Sequence, residues 1–161
     1  VRNTKYFISF FFISIISLSC LCARPYVGVS QGLAATTIDV GMLNRSFEQQ
    51  LFFSLPTVEG SPSSYLDTAG IGTVIFARTK RFSPAVIGLG LKSLMVWEQD
   101  KGVSVGLGFS LKLSYEFIAQ RGVLFLEGSY IPWDTTIGTI SSALVNKQLK
   151  QYLRFGYQHI L

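Results

Sequence analysis

Residues 102–117 run Gly102-Val103-Ser104-Val105-Gly106-Leu107-Gly108-Phe109-Ser110-Leu111-Lys112-Leu113-Ser114-Tyr115-Glu116-Phe117 and separate cleanly into two sets. Every odd position is apolar or aromatic, and every even position is glycine, serine or charged. Successive side chains of a strand point to opposite faces, so the segment presents one continuous apolar face and one small or polar face. A helix would mix the two sets around its circumference. Strands of soluble sheets favour about 5–6 residues, whereas a tilted strand needs about 9–11 to cross a bilayer. This one is long enough to span.

The segment before it repeats the design. Ala85, Ile87, Leu89, Leu91, Met95 and Trp97 share one face, opposed by Gly88, Gly90 and Lys92, and Glu98-Gln99-Asp100-Lys101 joins the two strands as a hairpin. Further out, Val27, Val29 and Leu33 alternate with Tyr26, Gly28, Ser30 and Gly32. Ile38, Val40 and Met42 oppose Thr37, Asp39 and Gly41, and Phe47, Leu51, Phe53 and Leu55 oppose Glu48, Gln50 and Ser54. Ile71, Thr73, Ile75 and Ala77 oppose Gly70, Gly72 and Arg78, with Val74 and Phe76 blurring the pattern. Leu124, Leu126 and Tyr130 oppose Glu127 and Ser129. Leu149, Leu153, Phe155, Tyr157 and Leu161 oppose Lys150, Arg154, Gly156 and Gln158.

The expectation is an all-β fold: an antiparallel up-and-down transmembrane β-barrel of about eight strands, the smallest usual number for a bacterial outer membrane. Lipid leaves unpaired backbone groups no partner, so strands cross it only in a closed barrel. Connection lengths agree. Asn44-Arg45-Ser46, a basic turn around Thr79-Lys80-Arg81, and Ala119-Gln120-Arg121-Gly122 are short, as periplasmic turns are; Pro56 to Thr68 and Asp134 to Asn146 are long, as outer loops are. The connection near Ala34 to Thr36 departs from the pattern by being short. Inward Gly88, Gly90, Gly106 and Gly108 leave room in a narrow barrel, and Trp97, Tyr115, Phe117, Tyr130 and Trp133 fall near strand ends, where aromatic girdles belong. A soluble periplasmic barrel is the alternative, and the continuity of the apolar faces argues against it.

The first residues predict export. Arg2 and Lys5 precede an uncharged run from Tyr6 to Leu21, and Ala23 closes a segment of small residues. That is the layout of a signal peptide over 1–23, leaving a barrel domain over 24–161. Ser17 and Ser19 stand three places before Cys20 and Cys22, where a lipoprotein signal would carry an aliphatic residue. Both cysteines of the chain lie in this segment, so its removal takes disulfide, zinc–thiolate and thiol chemistry with it. Removal also lowers the formal net charge from +5 to +3, with the remaining basic residues scattered, which excludes a nucleic-acid footprint. Mean hydropathy is +0.39, yet no apolar run after Leu21 approaches the length of a spanning helix.

Thr68-Ala69-Gly70-Ile71-Gly72, Gly88-Leu89-Gly90-Leu91-Lys92, Gly106-Leu107-Gly108 and Glu127-Gly128-Ser129-Tyr130-Ile131-Pro132 occur in an order that resembles the YfaZ-like outer-membrane proteins. The similarity covers roughly Tyr65 to Tyr157, and the last stretch is its most specific part. The resemblance implies an outer-membrane barrel and supplies no catalytic residues. It departs at the end: in that family the strand similar to Gln148–Tyr157 is followed by two more, whereas this chain ends at Leu161. That implies either a shorter barrel or a lost hairpin. Leu153, Phe155, Tyr157 and Leu161 resemble the terminal row that barrel-assembly machinery recognises, with Leu161 in place of the usual aromatic and His159 interrupting the row.

Little in the sequence carries chemistry. Acyl transfer wants a nucleophile beside a base, and the single histidine, His159, falls at the expected periplasmic end. Asp100, Asp134, Glu48, Glu98, Glu116 and Glu127 show no motif spacing, and Gly-x-Gly at Gly70, Gly88 and Gly106 lies mid-strand, so no nucleotide fingerprint is present. Lys92, Lys112, Glu116, Glu127 and Arg154 are expected to point inward as a lumen charge network, packing the interior or filtering solutes. No cofactor is expected. The expected partners are outer-membrane lipid, lipopolysaccharide and the assembly machinery. The expected role is structural or surface-interaction, without catalysis; the alternatives are a narrow porin-like channel and a lipid-A-modifying barrel enzyme.

Overall fold

The computed structural model describes residues 23–33, 35–56, 68–98, 102–117, 121–138 and 153–161. They form eight strands: β1 (Arg24–Gly32), β2 (Ala35–Leu43), β3 (Phe47–Pro56), β4 (Thr68–Phe82), β5 (Ala85–Glu98), β6 (Gly102–Phe117), β7 (Gly122–Gly138) and β8 (Leu153–Ile160). Each pairs antiparallel with its sequence neighbour, and β1 pairs with β8 from Tyr26↔Ile160 to Gly32↔Arg154, which closes the barrel. No further strand is used in the closure. The segment expected to be a signal peptide, up to Cys22, lies outside the described residues, as do Ala34 of the β1–β2 connection, residues 57–67, 99–101, 118–120 (with Ala119 and Gln120 of the expected turn) and 139–152 (with Leu149 and Lys150).

Closure works because the alternation has one sense all round. Along β6 the even positions Ser104, Ser110, Lys112, Ser114 and Glu116 are buried, while Leu107, Phe109, Leu111, Leu113 and Tyr115 face outward and exposed. Leu89 and Leu91 are 63% and 62% exposed, whereas Glu127 and Asp39 are 0% exposed. The polarity of a soluble barrel is inverted. Val74 and Phe76, which blurred the pattern of β4, point inward with Phe52, Leu94 and Val96 as an apolar cluster inside the barrel. The interior therefore mixes oily and ionic layers.

Two boundaries differ from the sequence reading. The turn expected around Thr79–Arg81 sits later, at Ser83-Pro84, because a bulge between Thr79 and Phe82 carries β4 onward and aims Lys80 back at Glu116. The loop expected from Asp134 begins later too. Thr135, Thr136 and Ile137 are β-formers that pair with Val105, Ser104 and Val103, extending β7 to Gly138.

A second irregularity lies between β6 and β7. Leu107 pairs with Trp133 and Phe109 with Tyr130, so Ile131 and Pro132 together oppose Gly108. Proline has no N–H to give a ladder and suits a bulge. A Cβ at Gly108 would run into the Tyr130 carbonyl and the Ile131 Cα, so the bulge requires glycine there.

Candidate functional site: the charged lumen

Four inward aromatic rings set the shape of the lumen. Tyr26, Phe52, Phe76 and Phe125 are the direct cross-strand partners of Gly41, Gly72, Gly90 and Gly156. A Cβ at any of these glycines would strike its partner's ring. Each glycine thus gives up its side-chain volume to a neighbouring ring, an arrangement that lets an eight-stranded barrel hold large side chains.

Between the rings lie two ionic clusters. In the first, nearer the long loops, Glu127 accepts from Arg154 Nη2 at 2.6 Å and Nε at 3.0 Å, and from Lys92 Nζ at 3.2 Å. Arg154 also donates to Asp39 at 3.0 Å and to the Ser30 hydroxyl at 3.2 Å. Ser110 and Ser129 close the ring, with Ser110 donating to Glu127 at 3.0 Å and Lys92 donating to Ser129 at 2.9 Å. Two cations, Lys92 and Arg154, meet two carboxylates, Asp39 and Glu127. The cluster is neutral.

The second cluster lies nearer the short turns. Lys112 donates to Glu48 at 2.5 Å, Arg78 reaches Glu48 at 3.5 Å and Glu116 at 2.5 Å, and Lys80 reaches Glu116 at 2.6 Å. Tyr26 and Gln158 add hydrogen bonds to Glu48 at 2.9 and 3.2 Å. Arg78 also donates to the carbonyl of Asn44, tying the cluster to the β2–β3 turn. Lys80, with 27% of its side chain exposed, is the member that touches solvent.

Phe125 separates the clusters, with Lys112 Nζ 4.3 Å from its centroid and the Arg154 guanidinium carbon 5.6 Å away. Phe52 is shared in the same way by Lys92, at 4.9 Å, and Arg154, at 5.2 Å. Cations on ring faces gain from the ring quadrupole, most of all when desolvated. Tyr26, Leu43, Val123 and Ile160 pack together as an apolar floor at the turn end. Among the described residues, the amide of Gln50 and the hydroxyl of Ser54 are buried without a hydrogen-bond partner, so the β3 wall is the least satisfied part of the lumen.

All five charged residues singled out in the sequence face the lumen and are paired, in two groups: Lys92, Glu127 and Arg154 in one, Lys112 and Glu116 in the other. Lys112 lies directly across from Glu127 in the ladder, yet pairs with Glu48 across the barrel. The sequence reading missed Asp39, Glu48, Arg78 and Lys80 as members. The signal was present for the first three, which occupy inward positions in the same alternation.

Leu153, Phe155, Tyr157 and Leu161 form one outward row on and just beyond β8, all exposed. His159 shares that row; its Nδ1 lies 3.3 Å from the Tyr157 hydroxyl, and among the described residues it meets no serine. Fold and lumen together define the class: a closed, eight-stranded, up-and-down barrel with an apolar outside and a packed ionic inside, an architecture compatible with outer-membrane barrels. No protein-family model, curated protein or solved structure matches the chain.

Proposed function

We propose that the chain is a YfaZ-like outer-membrane barrel of structural or surface-interaction role, without catalysis and closed to solutes. The observation that carries the reading is the inverted polarity: leucines stand exposed on the outside while paired carboxylates and cations fill the inside. Exposed apolar surface on this scale marks contact with lipid or protein, and charges inside a barrel remain satisfied only if the wall keeps hydrocarbon from them. The stretch Glu127–Pro132, which carries the resemblance most specifically, holds the first cluster through Glu127 and the β6–β7 bulge through Ile131-Pro132. A channel reading is opposed by the inward rings and ion pairs that fill the lumen, since eight strands give a bore just wide enough for side chains. An acyl-transfer reading is opposed by the outward, turn-end position of His159.

Refolding residues 24–161 in detergent or vesicles, then comparing gel mobility with and without boiling, tests the reading. A mobility shift on boiling is expected, together with a flat trace in planar bilayers. Stepwise conductance would replace it with the channel reading, lipase or acyltransferase activity of the folded protein would establish an enzyme, and the absence of a heat shift would remove the barrel from the membrane.

A further inference from the structure

Among the described residues, charge outside the lumen is divided between the two ends of the barrel. Of the acidic residues, Asp39, Glu48, Glu116 and Glu127 face inward. Of the remaining described acidic residues, Glu98 ends β5 and Asp134 lies late in β7, both toward the loop end. The turn end is the opposite. Arg24 opens β1, Arg45 lies in the β2–β3 turn, Arg81 lies near the end of β4, and Arg121 immediately precedes β7. All four are exposed, none forms an ion pair among the described residues, and no exposed acidic side chain accompanies them there. Because the strands follow one another around the barrel, these arginines are spaced around the whole rim.

Above this ring the outward face is aromatic, with Phe47, Phe82, Tyr115 and Tyr157 exposed near the same end. Between β5 and β8 it also holds a shallow groove of about 240 Å³ lined by Ala85, Leu113, Tyr115, Leu124, Leu126 and Phe155. Phe82 pairs with Ala85, Ala85 with Tyr115, and Tyr115 with Leu124. The lower edge of the groove therefore lies a few residues above both Arg81 and Arg121.

We infer that the turn-end rim binds anionic phospholipid, with arginines on the headgroup phosphates and a preferred position where an acyl chain fills the β5–β8 groove beside Arg81 and Arg121. The inference rests on the membrane reading above. A guanidinium matches phosphate oxygens in a two-point fork, and basic residues at a membrane surface recruit anionic lipid. A perimeter ring suits a film of lipid that surrounds the barrel, whereas a single protein partner would call for a patch on one side. The groove adds what a free phosphate could not use: an apolar slot directly above two of the cations.

The test is electron spin resonance of the refolded 24–161 barrel in phosphatidylcholine vesicles doped with spin-labelled phosphatidylglycerol or spin-labelled phosphatidylcholine. Both leaflets are then equivalent, so direction of insertion does not matter. Phosphatidylglycerol is expected to be preferred at the barrel surface by about two-fold or more, less so in high salt. The preference should fall to about one in the variant Arg24→Gln, Arg45→Gln, Arg81→Gln, Arg121→Asn. Asparagine is chosen at Arg121 because that residue has φ 52°. Changing Arg81 and Arg121 alone should remove more than half of the preference, and lysine at all four positions should retain it in part; the heat shift on gels shows that each variant is folded. Immobilised lipid with equal affinity for both headgroups, or a preference that survives the fourfold variant, overturns the proposal. Loss of retention on isolated peptidoglycan in that variant, with no lipid preference, would reassign the ring to an acidic polymer. No immobilised lipid of either kind would instead sink the membrane reading on which the proposal stands.

Discussion

Replacing Glu127 with glutamine removes the anion from a buried, neutral cluster while keeping its shape. The carboxylate accepts from Arg154 at 2.6 and 3.0 Å, from Lys92 at 3.2 Å and from Ser110 at 3.0 Å, and the residue is 0% exposed. Without it, Lys92 and Arg154 face Asp39 as the one remaining carboxylate of the cluster. Removing one member of a buried pair costs about 3–5 kcal/mol, chiefly because the partner is left charged and dry. The glutamine oxygen still accepts a hydrogen bond, which places the expected loss near the lower end, about 3 kcal/mol. Adding Lys92→Met restores neutrality, with Arg154 opposed to Asp39, and should recover about 2 kcal/mol. Urea unfolding followed by Trp97 and Trp133 fluorescence reads both, under conditions where the unfolding and refolding curves coincide. A loss below about 1 kcal/mol for Glu127→Gln, or strict additivity of the two changes, would refute the account of the cluster as a balanced unit.

Three further outcomes follow from the same geometry. Gly72→Val should cost about 3 kcal/mol in the same unfolding assay, since its Cβ alone would run into the Ser93 carbonyl and the Phe52 ring. Phe125→Ala removes the ring that divides the two clusters and should cost about 3–5 kcal/mol, with wild-type stability as the contrary result. Leu111→Arg, outward near the middle of β6, should cost about 2–4 kcal/mol in a lipid bilayer. On a water-exposed face the same change would shift stability by no more than about 0.5 kcal/mol, which would contradict the lipid-facing assignment.

The barrel was legible because a strand displays its environment in alternate letters. In β6 both faces are chemically pure, so strand, length and sidedness follow from the residues alone, and in β5 the stretch Ile87–Lys92 is equally clean. In β4 the reading weakened because Val74 and Phe76 point inward but are apolar; alternation cannot distinguish an oily lumen from an oily exterior. The same ambiguity hid the pairing of the charges. Parity places Lys112 and Glu48 on the inner face, but contact between them crosses the lumen over 64 residues of sequence, and only closure of the barrel brings them together. The bulges at Thr79–Phe82 and at Ile131-Pro132 shifted boundaries that parity alone would place elsewhere. The turn-end arginines were readable as separate basic residues and became a ring once the strand order put one on each quarter of the rim.

Polarity probes along β6 test the central claim most directly. Residues 24–161 contain no cysteine, so single cysteines at successive positions from Leu107 to Leu113 can each carry an environment-sensitive fluorophore in the vesicle-refolded protein. An outside that faces hydrocarbon predicts emission alternating with a period of two, apolar and quenched by lipid-borne quenchers at Leu107, Phe109, Leu111 and Leu113. The inward position Ser110 should be insensitive to those quenchers. Water-like emission at the four outward positions, or quenching without alternation, would contradict a lipid-facing barrel.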